Sequence, residues 1–135
     1  MPNQTDPKGK KMAGAATTSS SESKVFKELL EQLPILQEAT TSRVVLNNDL
    51  IRFVLFSFDA GQLLTEHASP KAVVVQLLSG KMEFSVAGDA SVLSPGDIVY
   101  LAPGERHALT ALEACHMALT MVDVDGVEAK REGAQ

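Results

Sequence analysis

Three histidines, one cysteine and five methionines are the side chains of this 135-residue sequence best suited to bind a transition metal, and two histidines stand out by position. His67 closes the stretch GQLLTEH (61–67) just before Ala68-Ser69-Pro70. His107 follows the Pro103-Gly104 turn in SPGDIVYLAPGERHAL (94–109). Each lies where a strand meets a turn, which lets a closed β-structure aim both imidazoles at one interior point. There they can serve as metal ligands, as acid/base groups, or as hydrogen-bonding groups for a bound molecule. Alternation gives His107 the company of Leu109 and Ala111, an apolar face on which an unpaired imidazole is costly, so a partner for it is expected. His116 reads differently. Cys115, Met117, Leu119 and Met121 form the apolar, inward set of their strand, which puts His116 on the surface. Cys115, Met82, Met117 and Met121 are soft donors that would favour a metal such as copper, and they are equally ordinary core fillers.

The elements that must position these groups are short strands. From Arg43 onward strands are predicted at about 43–47, 50–58, 62–67, 72–79, 81–87, 90–93, 97–102, 106–112 and 114–123, separated by Gly, Pro, Asn and Asp turns. Many short strands with no interleaved helices argue for an all-β sandwich or barrel. Alternation places Leu63, Thr65, His67 and Ser69 on one face. Two strands are apolar on both faces: Val54, Phe56 and Phe58 against Phe53 and Leu55, and Val73, Val75 and Leu77 against Val74 and Leu78. One face fills the barrel, and the other needs a cover. Gln76, polar within that second run, needs a partner, most simply across a subunit interface.

Upstream, residues 1–20 have almost nothing to bury and read as a disordered tail. Ser19 and Glu22 have capping-box spacing, and Val25, Phe26, Leu29, Leu30 and Leu33 then share one face of a helix over 21–34, which Pro34 ends. A domain over 40–124 and a flexible tail over 125–135 complete the division. One helix cannot cover a whole outer sheet face, so a homodimer through that face is expected.

Bulk properties narrow the function. The net charge is −5, and from residue 25 onward eight basic residues face fifteen acidic ones, which disfavours nucleic acid as a partner. A single cysteine forbids an intrachain disulfide and suits a reducing, cytoplasmic setting. No run approaches the roughly 20 apolar residues that span a bilayer, so no membrane partner is expected. Met12 is a second candidate start.

The spacing of glycines and histidines resembles the two motifs of the cupin superfamily. Gly61, His67 and Gly80 fall in register with the first motif, G-x5-H-x-H-x3,4-E-x6-G, with Ser69 at its second histidine and Val73 at its glutamate. Gly96, Gly104 and His107 match the second, G-x5-P-x-G-x2-H, with Ala102 at its first proline and Pro103 next to it. The resemblance spans about residues 43–123. It implies an all-β fold, a double-stranded β-helix or jelly-roll barrel of the small, single-domain RmlC-like kind, with one short N-terminal α-helix. It also implies a divalent transition metal (Fe, Mn, Ni, Cu or Zn) on His67 and His107 with an incomplete ligand set. Ser69, Val73, Met82, Cys115 and Met117 are the candidates to line the pocket. The function implied is metal and small-molecule binding in the barrel, as in a metal-dependent enzyme of small-molecule metabolism such as an oxygenase or isomerase. The alternative is a metal-free cupin that binds or senses a small ligand without catalysis. A third reading is an interaction protein with a vestigial pocket.

Overall fold

In the computed structural model, which describes residues 18–124, nine strands form two facing antiparallel sheets. The strands are β1 (Thr40–Asn47), β2 (Ile51–Phe58), β3 (Leu63–His67), β4 (Ala72–Ser79), β5 (Met82–Val86), β6 (Asp89–Leu93), β7 (Ile98–Leu101), β8 (His107–Ala111) and β9 (Cys115–Val122). One sheet has the order β1-β2-β9-β4-β7, the other β3-β8-β5-β6. Chain neighbours β3 and β4, and β7 and β8, lie in different sheets, so the chain winds between the layers as a jelly roll does. Of the expected tail over 1–20, residues 1–17 lie outside the described residues, as does the expected tail over 125–135, while Thr18 donates its N–H to the Asn47 carbonyl at 2.9 Å.

The inner faces meet in a core of Phe58, Val73, Val75, Leu77, Met82, Phe84, Leu101, Leu109, Cys115 and Met117. This core is aliphatic with two phenylalanines, as a sequence without tryptophan requires. A second core lies outside the five-stranded sheet. There Val45, Leu55 and Ala118, with Phe53 and Leu78 beside them, are covered by Phe26, Leu29 and Leu33.

That covering segment corrects the expectation of a helix over 21–34. Only α1 (Leu29–Gln32) is helical, and it follows Glu28, whose φ of 58° is left-handed and whose side chain makes no cap. Ser19 Oγ accepts the backbone N–H of Ser21, so the expected capping box does not form. Val25 is 79% exposed. A four-residue helix has no independent stability. The segment lies as a strap because docking Phe26, Leu29 and Leu33 on the sheet outweighs the helical pattern.

The strap also overturns the surface assignment of His116. Strand parity does send that ring away from the barrel interior, but Leu33 caps it and leaves it 9% exposed. Its Nε2 donates to the Leu33 carbonyl at 2.8 Å, and its Nδ1 accepts from Ser79 Oγ at 3.0 Å. Ser79 Oγ in turn accepts the His116 backbone N–H at 3.0 Å. Every polar atom of this buried pair is satisfied within the chain, so His116 is a structural clasp. Ser57 Oγ, donating to the Pro34 carbonyl at 3.3 Å, and Arg43, donating to Gln32 Oε1 at 2.6 Å, fasten the strap further.

The strap covers only the β1–β2–β9 side of the outer face. On the β4–β7 side Val74, Ile98 and Tyr100 are 37%, 60% and 61% exposed, and Gln76 is exposed between them. Strand β7 is the open edge of that sheet.

Candidate functional site

The site is built where the two sheets exchange the chain. Strand β3 ends at His67 and crosses to β4; β7 ends at Leu101 and crosses to β8, which begins at His107. The crossings are tied together by a hydrogen bond from Gly104 N–H to the Ser69 carbonyl at 2.7 Å. Both histidines therefore belong to one mouth of the barrel.

A bulge brings them face to face. Strand β3 pairs Leu64 with Leu109, and then, one residue out of step, His67 with His107. In an unbroken ladder His67 would lie three residues from Leu64 and so on the opposite face. The extra residue restores it to the face of Leu64 and His107. This corrects the expectation that Leu63, Thr65, His67 and Ser69 share a face. Leu63 is 54% exposed, whereas Leu64 packs on the core.

The two rings sit 4.2 Å apart, centroid to centroid, at 61°. His107 is 8% exposed and stacks on Phe84 at 5.9 Å, 7° from parallel; His67 is exposed. Each makes the same backbone bond: Nδ1 of His67 to the Thr65 carbonyl at 2.9 Å, and Nδ1 of His107 to the Glu105 carbonyl at 3.0 Å. A carbonyl oxygen only accepts, so both Nδ1 atoms carry the proton. In the neutral rings both Nε2 atoms are then left with free lone pairs. Outside the pair, Arg106 donates to Glu66 at 2.8 Å, joining the turn before β8 to β3 at the surface. The hydrogen bond and charge of Arg106 hold the Glu66 carboxyl below its ordinary range.

The remaining sequence candidates fall elsewhere. Ser69 lies in the crossing beyond β3, with Oγ accepting the Lys71 N–H at 3.1 Å. Val73, at the position of the motif glutamate, is a buried wall of the mouth opposite Leu101 and Met121. Met82 pairs with Ala111 at one end of β5, while His107 pairs with Val86 at the other, which is roughly 13 Å away along the strand. Met82, Cys115 and Met117 are at most 1% exposed in the packed core. Burial, with the Glu113 carboxylate adding to it, pushes the Cys115 thiol up to about 11. Among the described residues no third His, Cys, Asp or Glu joins the histidine pair.

One residue of this mouth escaped the sequence reading. Arg52 alternates with Val54, Phe56 and Phe58, and its strand position opposite Met121 puts it on the barrel side. A single charge in an otherwise apolar alternating set was the available signal.

A family model of the cupin domain matches residues 54–123, more than half of the chain and including both histidines. The chain belongs to the cupin family. Known structures agree on this fold. A conserved protein of unknown function from Streptococcus pyogenes is 27% identical, with 82% of this chain and 96% of that one covered and a TM-score of 0.69. An RmlC-like cupin from Desulfovibrio desulfuricans is 22% identical over 75% of this chain and 97% of its own, with a TM-score of 0.67. A cupin superfamily protein from Desulfitobacterium hafniense is 17% identical over 68% and 84%, with a TM-score of 0.65. Among curated proteins none matches the sequence.

The donor set of this cupin fits a metal held by two imidazoles, with its other positions open to water or a ligand. It does not fit a closed, four-ligand protein cage, because Ser69 and Val73 replace the other motif donors.

Proposed function

We propose that this cupin binds a small molecule at its barrel mouth, and that His67 and His107 hold a divalent transition metal there through Nε2. The shared protonation pattern carries the reading: both rings spend Nδ1–H on a backbone carbonyl, which fixes their orientation and keeps Nε2 available. Phe84, stacked under His107, limits that ring's rotation. A metal at this place would supply Lewis acidity to an oxygen substituent of the bound molecule. The protein's own part is to orient the two donors and to wall the mouth with Val73, Leu101 and Met121.

Long-range ¹H–¹⁵N correlation spectra of the histidine rings test this. In metal-free protein, His67 and His107 should show protonated Nδ1, and added Zn²⁺ should shift their Nε2 signals. His116, whose Nε2 already donates to Leu33, should not move and serves as an internal control. Deprotonated Nδ1 on either mouth histidine, or three rings indifferent to Zn²⁺, would contradict the proposal. A metal-free reading is favoured by one observation, the lack of a third donor among the described residues. In that case the same Nε2 atoms accept hydrogen bonds directly from a ligand hydroxyl or amine.

The homodimer is part of the same proposal, with a second copy covering Val74, Ile98 and Tyr100 on the β4–β7 face. Sedimentation equilibrium should give twice the chain mass for the wild type and a single chain for Tyr100→Glu. Equal masses for the two proteins would remove this interface.

A further inference from the structure

We propose that a cleft at the histidine end of the barrel is a carboxylate-binding subsite, with Arg52 as the residue that recognises the anion and Lys71 in support. This rests on the reading that the mouth takes a small molecule, but it does not require the metal.

The sheet register locates the subsite. Arg52 on β2 stands opposite Met121 on β9, Met121 opposite Val73 on β4, and Val73 opposite Leu101 on β7. Val73 and Leu101 are the residues next to the two crossings that carry His67 and His107, so this row and the histidine pair lie at the same end of the barrel. Lys71 belongs to the first crossing, four residues after His67. Arg52, Lys71, Asn47, Asp49, Met121 and Asp123 line a cleft of about 530 Å³, a size suited to a small metabolite.

Arg52 is half-buried, yet among the described residues its guanidinium has no hydrogen bond or ion pair. Val54 and Phe56, which follow it on its face, and Met121 across on β9 are apolar, while Asn47 across on β1 is polar. A guanidinium has five N–H donors and accepts nothing, so a half-buried one without a protein partner is free to take an anion. A carboxylate answers it with two parallel charge-assisted hydrogen bonds. Lys71, also half-buried, adds a second positive charge on the same cleft.

The two acids set the ligand's charge. Asp123 already has an interaction of its own, and Asp49 is exposed in the β1–β2 turn. Their negative charge leaves the cleft near neutral as a whole, which admits a monocarboxylate at Arg52 and disfavours phosphate esters and polyanions. A small monocarboxylic acid is the class of ligand this cleft fits.

The test is a propionate titration of the full chain followed by ¹H–¹⁵N spectra, with propionamide as the neutral isostere. Propionate should shift the Arg52 Nε–Hε signal and the Lys71 and Met121 amides saturably, and propionamide at the same concentrations should not. Arg52→Gln should weaken propionate by at least about tenfold, the scale of a lost charge-assisted pair. Arg52→Lys, which keeps the charge without the fork, should fall between them. The Zn²⁺ response of His67 and His107 should persist in Arg52→Gln. Equal propionate affinity in wild type and Arg52→Gln, or tighter inorganic phosphate than propionate, would overturn the subsite and leave the metal reading intact. A propionate response that survives in a protein indifferent to Zn²⁺ would retain the subsite and remove the metal.

Discussion

Replacing Gly80 by alanine should cost this protein more than about 3 kcal/mol, a large part of the roughly 5–15 kcal/mol by which a domain is stable. Gly80 opens the β4–β5 turn with φ +80°, a conformation that a side chain strains. The larger problem is space. A β carbon there would collide with the Ala114 carbonyl oxygen and with Cβ of Cys115, at the start of β9. These are backbone and near-backbone atoms in the central strand of the barrel sheet, so no flexible side-chain end can give way. Strand β9 would have to shift against β2 and β4 together. Cys115 provides a readout beside the melting curve. Its thiol is fully buried and poorly ionised in the native protein, so alkylation reports opening of this corner. Gly80→Ala should lower the melting temperature by well over about 5 °C and accelerate iodoacetamide labelling of Cys115 at the same pH. Melting and labelling indistinguishable from the wild type would show that β9 is not held against this turn as described.

Gly80 was legible in the sequence as a motif glycine, although the collision behind it was not. The nine strands were legible because turn residues separate them and because alternation along residues 51–58 and 72–79 is regular. The histidine pair was legible because a turn follows His67 and another precedes His107. Three things were hidden, each for a physical reason. A bulge between Leu64 and His67 is a change of count by one, which no period-two pattern reveals, and it decides what His67 faces. The strap over 26–34 carries a helical pattern of leucines, but docking on Val45, Leu55 and Ala118 governs its shape. His116 has the parity of a surface residue and is buried only because that strap returns across it. Arg52 went unread because its environment is set by β9 and β4, far away in the chain.

The other large effect expected is on metal. His67 and His107 provide the only two nitrogen donors of the mouth histidines free to ligate, and among the described residues no further His, Cys, Asp or Glu can take over. Removing one imidazole should leave a single donor, and removing both should leave none. The loss should exceed the roughly 100-fold typical of outer-shell changes alone. His67→Ala is the clean variant, because the ring is exposed and its loss should hardly affect the melting temperature. His107→Ala also removes the stack on Phe84 and should destabilise the fold somewhat. The most direct measurement is elemental analysis of the protein after incubation with Mn²⁺, Fe²⁺, Ni²⁺, Cu²⁺ and Zn²⁺ and desalting, for the wild type and for the His67→Ala, His107→Ala double variant. The structure predicts close to one metal per chain in the wild type and none in the variant. No metal in the wild type, or metal retained when both histidines are gone, would contradict it.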